Sequence, residues 1–475
     1  MKVNPQIFRA YDLRGVSGTD LSSEFFEHLG KAYGTYLKRN KIDDTAIVGR
    51  DARPTSIEYS DALMRGLSWA GINVINIGLT FVGNFYWSQY FLQHKGGIYI
   101  TASHNPKEYN GAKLSVDFSE TMVTEQMNIM KEMVENEDYE KGDFEGKIEE
   151  RDIKNDYIAD LKNRINIDKK LRVLVDTSYS TGGAIVPDVF EAFGLDVIKI
   201  HTEVDSNFPL GAPDPTATKL AERVSKETLE AGADVGFSYD SDGDRIGIVD
   251  EKGQIIWNDM LLAIFVLDIL EKHPGSKIMF NSLCSLAVTQ TIEKYGGIPY
   301  MWRTGHSFLK KKNQEVKAAF IGELSGHFFF SADFYNHDDG IYSSLRLISY
   351  MARSGKKLSE LIEMLPKYVS SPEIKIGYPD DKKAEMIKDL AGKIKNDYPN
   401  AIVMDGENIG DGVRFETGNS MFVVRYSQNG PYITVKIEAI TSEEYEKLRI
   451  YLAEKISGYK DVNWDFGVSQ DLLKI

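Results

Sequence analysis

Short apolar runs separated by amphipathic stretches set the pattern of this chain. Polar residues precede a predicted helix from about Ser22 to Lys38, and the strand Ile47-Val48 follows. The next helix carries Ala62, Leu63, Gly66, Leu67 and Ala70 on one stripe and leads into the strand Val74-Ile75-Asn76-Ile77. Strand, helix, strand at this spacing predicts a βαβ unit. A further strand, Gly97-Ile98-Tyr99-Ile100, stops abruptly at small and polar residues. A second series starts at Leu171–Asp176 and continues through Val197–Ile200 and Val235-Gly236-Phe237. The third runs through the apolar helix Met260–Leu270, Ile278-Met279-Phe280, a helix near Leu286–Lys294, Ile298-Pro299-Tyr300 and Ala319-Phe320-Ile321.

After about Tyr368 the period changes. A charged helix near Lys382–Lys395 precedes the short alternating strands Ala401–Val403, Val413–Phe415, Met421–Val424 and Tyr432–Val435, and a helix from about Glu443 to Lys455 closes the unit. Helix, antiparallel sheet, helix is an α+β pattern. The expected fold is therefore α/β: three doubly wound βαβ domains with mixed or parallel sheets, then a smaller α+β C-terminal domain that folds separately. The expected boundaries are 1–150, 151–255, 256–368 and 369–475. Glu132–Asp156, rich in Glu, Asp and Lys, reads as a solvated helix end and linker.

Composition narrows the class. With 475 residues the chain exceeds one core, and 42% hydrophobic with 27% charged residues is ordinary for a globular protein. No apolar run reaches spanning length, and the start Met1-Lys2-Val3-Asn4-Pro5 lacks a signal-peptide core, so no membrane partner is expected. A single cysteine, Cys284, excludes an internal disulfide framework and suits the reducing cytoplasm. The net charge of −15 argues against nucleic acid as partner, while a local basic cluster still allows a phosphorylated small molecule.

Two loops carry the strongest chemistry. Thr101-Ala102-Ser103-His104-Asn105-Pro106 puts a serine with a neighbouring imidazole at a strand's carboxyl end, where open α/β sheets bind ligands. Asp240-Ser241-Asp242-Gly243-Asp244-Arg245 also follows a strand. Its alternating aspartates turn three carboxylates inward, and such a set suits a hard divalent cation, Mg²⁺ where a phosphate oxygen is shared. An EF-hand is ruled out: no helix enters, and Lys252 stands roughly where the closing Glu belongs. Arg14, Arg50 and Arg53 are expected on loops.

TASHNP resembles the phosphoserine loop of the α-D-phosphohexomutases, the family of phosphoglucomutase and phosphomannomutase. The segment Asp240–Arg245, which begins 137 residues after Ser103 and contains DGDR, is similar to that family's metal loop. Asn110-Gly111-Ala112-Lys113 resembles its NGxK element, Arg303-Thr304-Gly305-His306 its RxGH element, and Gly322-Glu323-Leu324-Ser325-Gly326-His327 its GExSGH sugar loop. Arg14 lies in a stretch similar to the N-terminal signature. Arg425-Tyr426-Ser427-Gln428-Asn429-Gly430-Pro431 resembles the phosphate loop RxSGTxP, with Gln428 and Asn429 as departures. Some mannose- and glucose-specific members carry a basic residue near Leu283, and this chain has none.

The resemblance implies a phosphoryl group on Ser103, with Ser103, Asp240, Asp242 and Asp244 holding Mg²⁺. Arg245 would steady the phosphoryl group, His104 would assist the serine, and Lys113 would act as general acid/base if its neighbours depress its pKa. Arg14, Arg303, Gly305, His306, Glu323, Ser325, His327, Arg425, Ser427 and Asn429 would bind substrate. The implied reaction interconverts hexose 1- and 6-phosphates, of mannose or glucose, through a hexose 1,6-bisphosphate. The alternatives are a phosphoglucosamine mutase, a Mg²⁺-dependent sugar phosphatase and a silent sugar-phosphate binder. A monomer or homodimer is expected.

Overall fold

The structure is a computed structural model that describes residues 1–404, 411–427 and 430–474. Its contacts divide the chain into two compact units. Unit 1 comprises residues 1–258, 313–315 and 325–361; unit 2 comprises 259–312, 316–324 and 362–475.

Unit 1 contains two sheets. Strands β1 (Leu13–Val16), β2 (Thr45–Arg50), β3 (Asn73–Leu79), β4 (Gly96–Ile100), β5 (Tyr109–Asp117), β6 (Glu120–Thr121) and β7 (Ile148–Glu150) form the first, in the order β1-β5-β4-β2-β3-β7 with β6 on β5. β4, β2, β3 and β7 run parallel, while β5 pairs antiparallel with β4 and β1. All of β4 is buried, as a central strand covered on both faces must be. The helix Ser23–Arg39 starts where the Ser22 hydroxyl accepts from the Phe25 N–H and buries Phe25, Phe26, Leu29, Tyr33 and Leu37. It lies so close to the helix Ser56–Trp69 that a Cβ on Gly66 would stand 2.1 Å from the Glu27 carbonyl oxygen. Glycine there lets two apolar faces meet, each buried Leu or Phe contributing about 1.5–3 kcal/mol.

The second sheet holds β8 (Arg172–Asp176), β9 (Asp196–Ile200), β10 (Val235–Tyr239), β11 (Ile246–Asp250) and β12 (Ile255–Ile256), ordered β12-β11-β10-β8-β9. β8 has β9 on one side and β10 on the other, both parallel. β2 likewise has β3 and β4 on opposite sides. Successive crossovers diverge at such points and open a crevice at the strands' carboxyl ends. The loops 51–55, 101–108 and 240–245 all leave strands at these ends.

Three readings from sequence change here. Arg14 and Arg50 lie in strands β1 and β2, not loops; only Arg53 is on a loop, and it is buried. The acidic stretch 132–156 is not a plain linker, because it supplies β7, an edge strand with exposed side chains. Edge pairing needs only the backbone, so hydropathy does not reveal it. Lys113 lies within β5.

Strands β13 (Lys277–Asn281), β14 (Ile298–Trp302) and β15 (Phe320–Gly322) of unit 2 form a parallel array in the order β14-β13-β15. Phe328–Phe329, β16, belongs to unit 1. The C-terminal sheet is antiparallel: β17 (Val369–Ser370), β18 (Ile374–Gly377), β19 (Ile402–Met404), β20 (Gly412–Glu416), β21 (Ser420–Tyr426), β22 (Tyr432–Ala439) and β23 (Asn463–Val468), ordered β19-β20-β21-β22-β18-β23 with β17 on β22. The helices Lys383–Asp397 and Ser442–Ser457 cover one face, around Ile387, Leu390, Phe422, Val435, Leu448 and Leu452.

The C-terminal sheet is also tied to earlier residues of its unit. Arg414 donates to the carbonyl oxygens of Ser282 (2.6 Å) and Cys284 (2.9 Å). Lys436 pairs with Asp259 at 2.8 Å, and Glu438 accepts from the Ser285 hydroxyl at 2.8 Å. All of these side chains are buried. Among the described residues, no helix is long and apolar enough to cross a membrane.

Candidate active site

Ser103, three residues beyond the end of β4, has a left-handed backbone conformation, φ 50°, which a non-glycine residue adopts at a cost of about 1–2 kcal/mol. Its N–H donates to Thr101 Oγ1 at 2.8 Å. Its hydroxyl donates to Asp240 Oδ2 at 2.9 Å and lies 3.1 Å from His104 Nδ1. The serine loop and the aspartate loop, remote in sequence, therefore meet at the Ser103 hydroxyl.

Asp240, Asp242 and Asp244 converge because Gly243 turns the chain between β10 and β11 with φ 68°; a Cβ there would lie 2.2 Å from the Phe81 ring. One carboxylate oxygen from each lies within 4.8 Å of the others. All three residues are buried, and the Oδ1 atoms of Asp242 and Asp244 have no hydrogen-bond partner. Burial, then the neighbouring Asp242 and Asp244, push the Asp240 carboxyl well above the usual range. A buried carboxylate cluster with open oxygens fits a divalent cation, which would satisfy those oxygens and keep Asp240 ionised.

Lys113 Nζ lies 2.9 Å from Asp242 Oδ2 and 2.6 Å from Asp244 Oδ2. Burial alone would depress its pKa, but Asp242 and Asp244 outweigh it, and the lysine is held protonated well above its ordinary value. The neighbouring carboxylates thus raise the lysine pKa rather than depress it. Two carboxylates within bonding distance stabilise the ammonium more than burial opposes it.

Arg245 closes the loop: its N–H donates to Asp240 Oδ1 at 3.2 Å, and its Nε donates to His327 Nε2 at 3.0 Å. Because Nε2 accepts, the ring proton of neutral His327 lies on Nδ1, 2.7 Å from Asp338 Oδ2. His327, expected among the sugar contacts, is thereby tied to Arg245 and the aspartate loop. Asp338 has no motif of its own in the sequence reading. Arg14 donates to Asp12 Oδ2 (2.8 Å) and to Asn105 Oδ1 (3.0 Å) of the serine loop. Ser325 is half-buried.

A further trio in unit 1, Asp176, His201 and Glu227, also has carboxylate and imidazole atoms within 4.8 Å of one another. Arg223 already pairs with its Asp176, with Nε 2.7 Å from Oδ2.

In unit 2, the Gly305 N–H donates to Glu323 Oε1 at 2.9 Å, which joins the two loops expected to touch sugar. Gly305 has φ 127°, a conformation reserved for glycine, and Glu323 is buried. Arg303 lies over the Phe308 ring, 3.9 Å from its centroid, and His306 is buried at the start of a helix. Arg425 grips Asp411 with two nitrogens, Nε at 2.9 Å and Nη2. Ser427 is buried, its N–H on the Tyr432 carbonyl oxygen at 2.9 Å. Asn429 and Gln428 lie outside the described residues.

Comparison with known proteins agrees along the chain. Profiles of the phosphoglucomutase/phosphomannomutase α/β/α domains I, II and III match residues 5–141, 155–253 and 257–368. A phosphomannomutase/phosphoglucomutase of Pseudomonas aeruginosa is 35% identical over 444 residues, 93% of this chain and 94% of that protein. A phosphoglucomutase of Neisseria gonorrhoeae is 30% identical, covering 94% and 96%. The crystal structure of a phosphoglucomutase/phosphomannomutase family protein from Burkholderia thailandensis superposes with a TM-score of 0.88 at 29% identity, covering 96% of this chain and 98% of that one. Matched in three consecutive domains and over nearly its full length, this chain belongs to the phosphoglucomutase/phosphomannomutase family of intramolecular phosphotransferases.

Proposed function

We propose that the protein interconverts hexose 1-phosphates and hexose 6-phosphates, with glucose and mannose as the sugars, through a phosphoryl group carried on Ser103. The observation that supports this most directly is the 2.9 Å approach of the Ser103 hydroxyl to Asp240, inside a carboxylate cluster with open buried oxygens. A phosphoserine brings a charge of about −1.5 to −2 against those carboxylates. That assembly requires a divalent cation, and Asp240, Asp242, Asp244 and a phosphoryl oxygen on Ser103 are assigned as the residues that hold Mg²⁺. When bound, Mg²⁺ neutralises charge on the phosphoryl oxygens.

In the forward half-reaction the bond between Ser103 Oγ and phosphorus breaks while a sugar hydroxyl oxygen bonds to phosphorus. The proton of the sugar hydroxyl ends on Ser103 Oγ, passing through His104, whose Nδ1 lies 3.1 Å from Oγ. Lys113, held cationic, and Arg245 stabilise charge on the transferring group, where positioning and cationic clamping supply most of the catalysis. The resulting hexose 1,6-bisphosphate then presents its other phosphate. Ser103 attacks that phosphorus, and its proton passes through His104 to the sugar oxygen that leaves.

Glu323, Ser325, His306 and His327 are assigned to the sugar, with Arg14, Arg303 and Gly305 beside it. Arg425, Ser427 and Asn429 are assigned to the phosphate that does not react. The four segments 1–150, 151–255, 256–368 and 369–475 then supply, in turn, the phosphoserine, the metal, the sugar contacts and the phosphate anchor. We assign the reaction to the cytoplasm, in keeping with the free thiol of buried Cys284.

A coupled assay with Mg²⁺ and a trace of hexose 1,6-bisphosphate tests the proposal. Glucose 1-phosphate, mannose 1-phosphate and glucosamine 1-phosphate are offered in parallel, with Ser103→Ala as control. Conversion of glucose or mannose 1-phosphate, lost in the variant, is expected. Conversion of glucosamine phosphate alone would reassign the sugar. Net phosphate release without isomerisation would indicate a phosphatase, and binding without turnover a silent binder.

A further inference from the structure

Arg53 belongs to none of the motifs that carry the proposed chemistry, yet its surroundings are unusual. The side chain is buried, and all five guanidinium N–H donors of an arginine can be accounted for. Nε donates to Asp51 Oδ2 at 3.1 Å. Nη1 donates to the carbonyl oxygens of Pro106 (2.7 Å) and Tyr109 (2.9 Å). Nη2 donates to those of Ser103 (2.5 Å) and Asn105 (2.6 Å). One planar group thus gathers four backbone carbonyls from the segment that begins at Ser103.

Asp51 completes the arrangement. It accepts from the Ser56 hydroxyl (2.6 Å), from the Arg53 N–H (3.1 Å) and from Thr101 Oγ1 (2.8 Å). Thr101 Oγ1 in turn accepts from the Ser103 N–H, so both the amide and the carbonyl of Ser103 are tied back to the Asp51–Arg53 pair. The topology explains the meeting: β2 and β4 are parallel neighbours where the chain reverses its winding, so the loops that follow them share one crevice.

We infer that Arg53 is the positioning residue of the serine loop, holding Ser103 in its left-handed conformation so that Oγ points at Asp240. It touches neither the reacting oxygen nor the carboxylate that faces it, and acts through the backbone. This inference rests on the phosphoserine reading above. Lysine cannot replace the arginine, because an ammonium with three donors lacks the planar fork that four dispersed carbonyls require.

The test uses the full-length chain with Arg53→Lys and Arg53→Met. Each protein is charged with radiolabelled hexose 1,6-bisphosphate and the label on Ser103 is counted. Transfer of label to glucose 6-phosphate is then followed in a single turnover. A rate constant per labelled chain is blind to the fraction of protein that has unfolded. The expected result is a fall of about 100-fold in that constant for Arg53→Met, the effect of misplacing a reacting atom by about 1 Å. For Arg53→Lys a fall of at least about 10-fold is expected, with half-saturation by glucose 6-phosphate changed by less than about twofold. If Arg53→Met does not fold, Arg53→Lys decides alone. An unchanged rate constant per labelled chain, with only a lower melting temperature, would overturn the positioning role and leave the phosphoserine reading standing. Absence of label on wild-type Ser103 would overturn that reading, and this inference with it.

Discussion

Lys113 Nζ lies 2.6 Å from Asp244 Oδ2, although 131 residues separate the two in sequence. The lysine comes from a strand of the first sheet and the aspartate from a loop of the second. One buried cation therefore balances part of the charge of the carboxylate cluster. Removing it exposes the repulsion among the aspartates. Lys113→Met is expected to destabilise unit 1 by about 3–5 kcal/mol in metal-free buffer, the usual cost of leaving a buried charge without its partner. Urea denaturation with EDTA measures this. A loss below about 1 kcal/mol would mean that the aspartates are neutral in the folded state.

Metal removal should act in the same direction. An ion that binds only the folded chain stabilises it by about 2.7 kcal/mol at 100 times its dissociation constant. Mg²⁺ is therefore expected to raise the melting temperature of the wild type, and the rise should shrink in Asp242→Asn, which removes one of the open buried oxygens. A melting curve indifferent to Mg²⁺ and EDTA would count against a metal on these aspartates.

Asp339 gives a pH dependence separate from that of the three loop aspartates. It caps the helix Gly340–Ser354 by accepting from the Tyr342 N–H, and it accepts from the Tyr157 hydroxyl at 2.8 Å. Burial pushes its carboxyl up to about 6, against the pull of those hydrogen bonds. A carboxyl with a raised folded pKa binds its proton more tightly in the folded chain. Its contribution is fully present below the unfolded value of 3.8 and is lost as pH rises through about 6. Asp339→Asn keeps the capping oxygen and removes the charge. It is expected to raise stability at pH 7 by about 2–3 kcal/mol and to flatten the slope between these two values. Denaturation curves across that range decide it; an unchanged slope would place the dependence on another group.

Arg414 is the corresponding test in unit 2. Its guanidinium holds the carbonyl oxygens of Ser282 and Cys284, and the aliphatic replacement Arg414→Met would leave both without this donor. A loss of about 2–6 kcal/mol is expected, at 1–3 kcal/mol for each of the two unsatisfied buried groups. Hydrogen exchange should rise around residues 282–286 while the first sheet keeps its protection. Unaltered exchange there would show that the Lys436–Asp259 pair suffices.

Legibility differed between elements for physical reasons. The central strand Gly96–Ile100 and the helix Ser23–Arg39 could be read because burial on both faces, or on one stripe, leaves an apolar signature. β7 left none, since an exposed edge strand is held by backbone pairing alone. The aspartate loop was recognisable because its three carboxylates alternate within six consecutive residues. Asp338 and Arg53 were not, because one acts on His327 and the other on carbonyl groups that every residue possesses.

Sequence alone therefore determined the βαβ series, the change to α+β after about residue 368, the serine and aspartate loops, and the family resemblance. These are local in character: hydrophobic period, turn chemistry and short motifs reside in contiguous residues. The tertiary structure alone decided that Ser103 faces Asp240, that Lys113 is held protonated, and that Arg53 gathers the serine loop. Those outcomes depend on which carboxyl ends of strands share a crevice, and on the balance of burial against neighbouring charge. Both arise from groups far apart in the chain, so no stretch of sequence contains them.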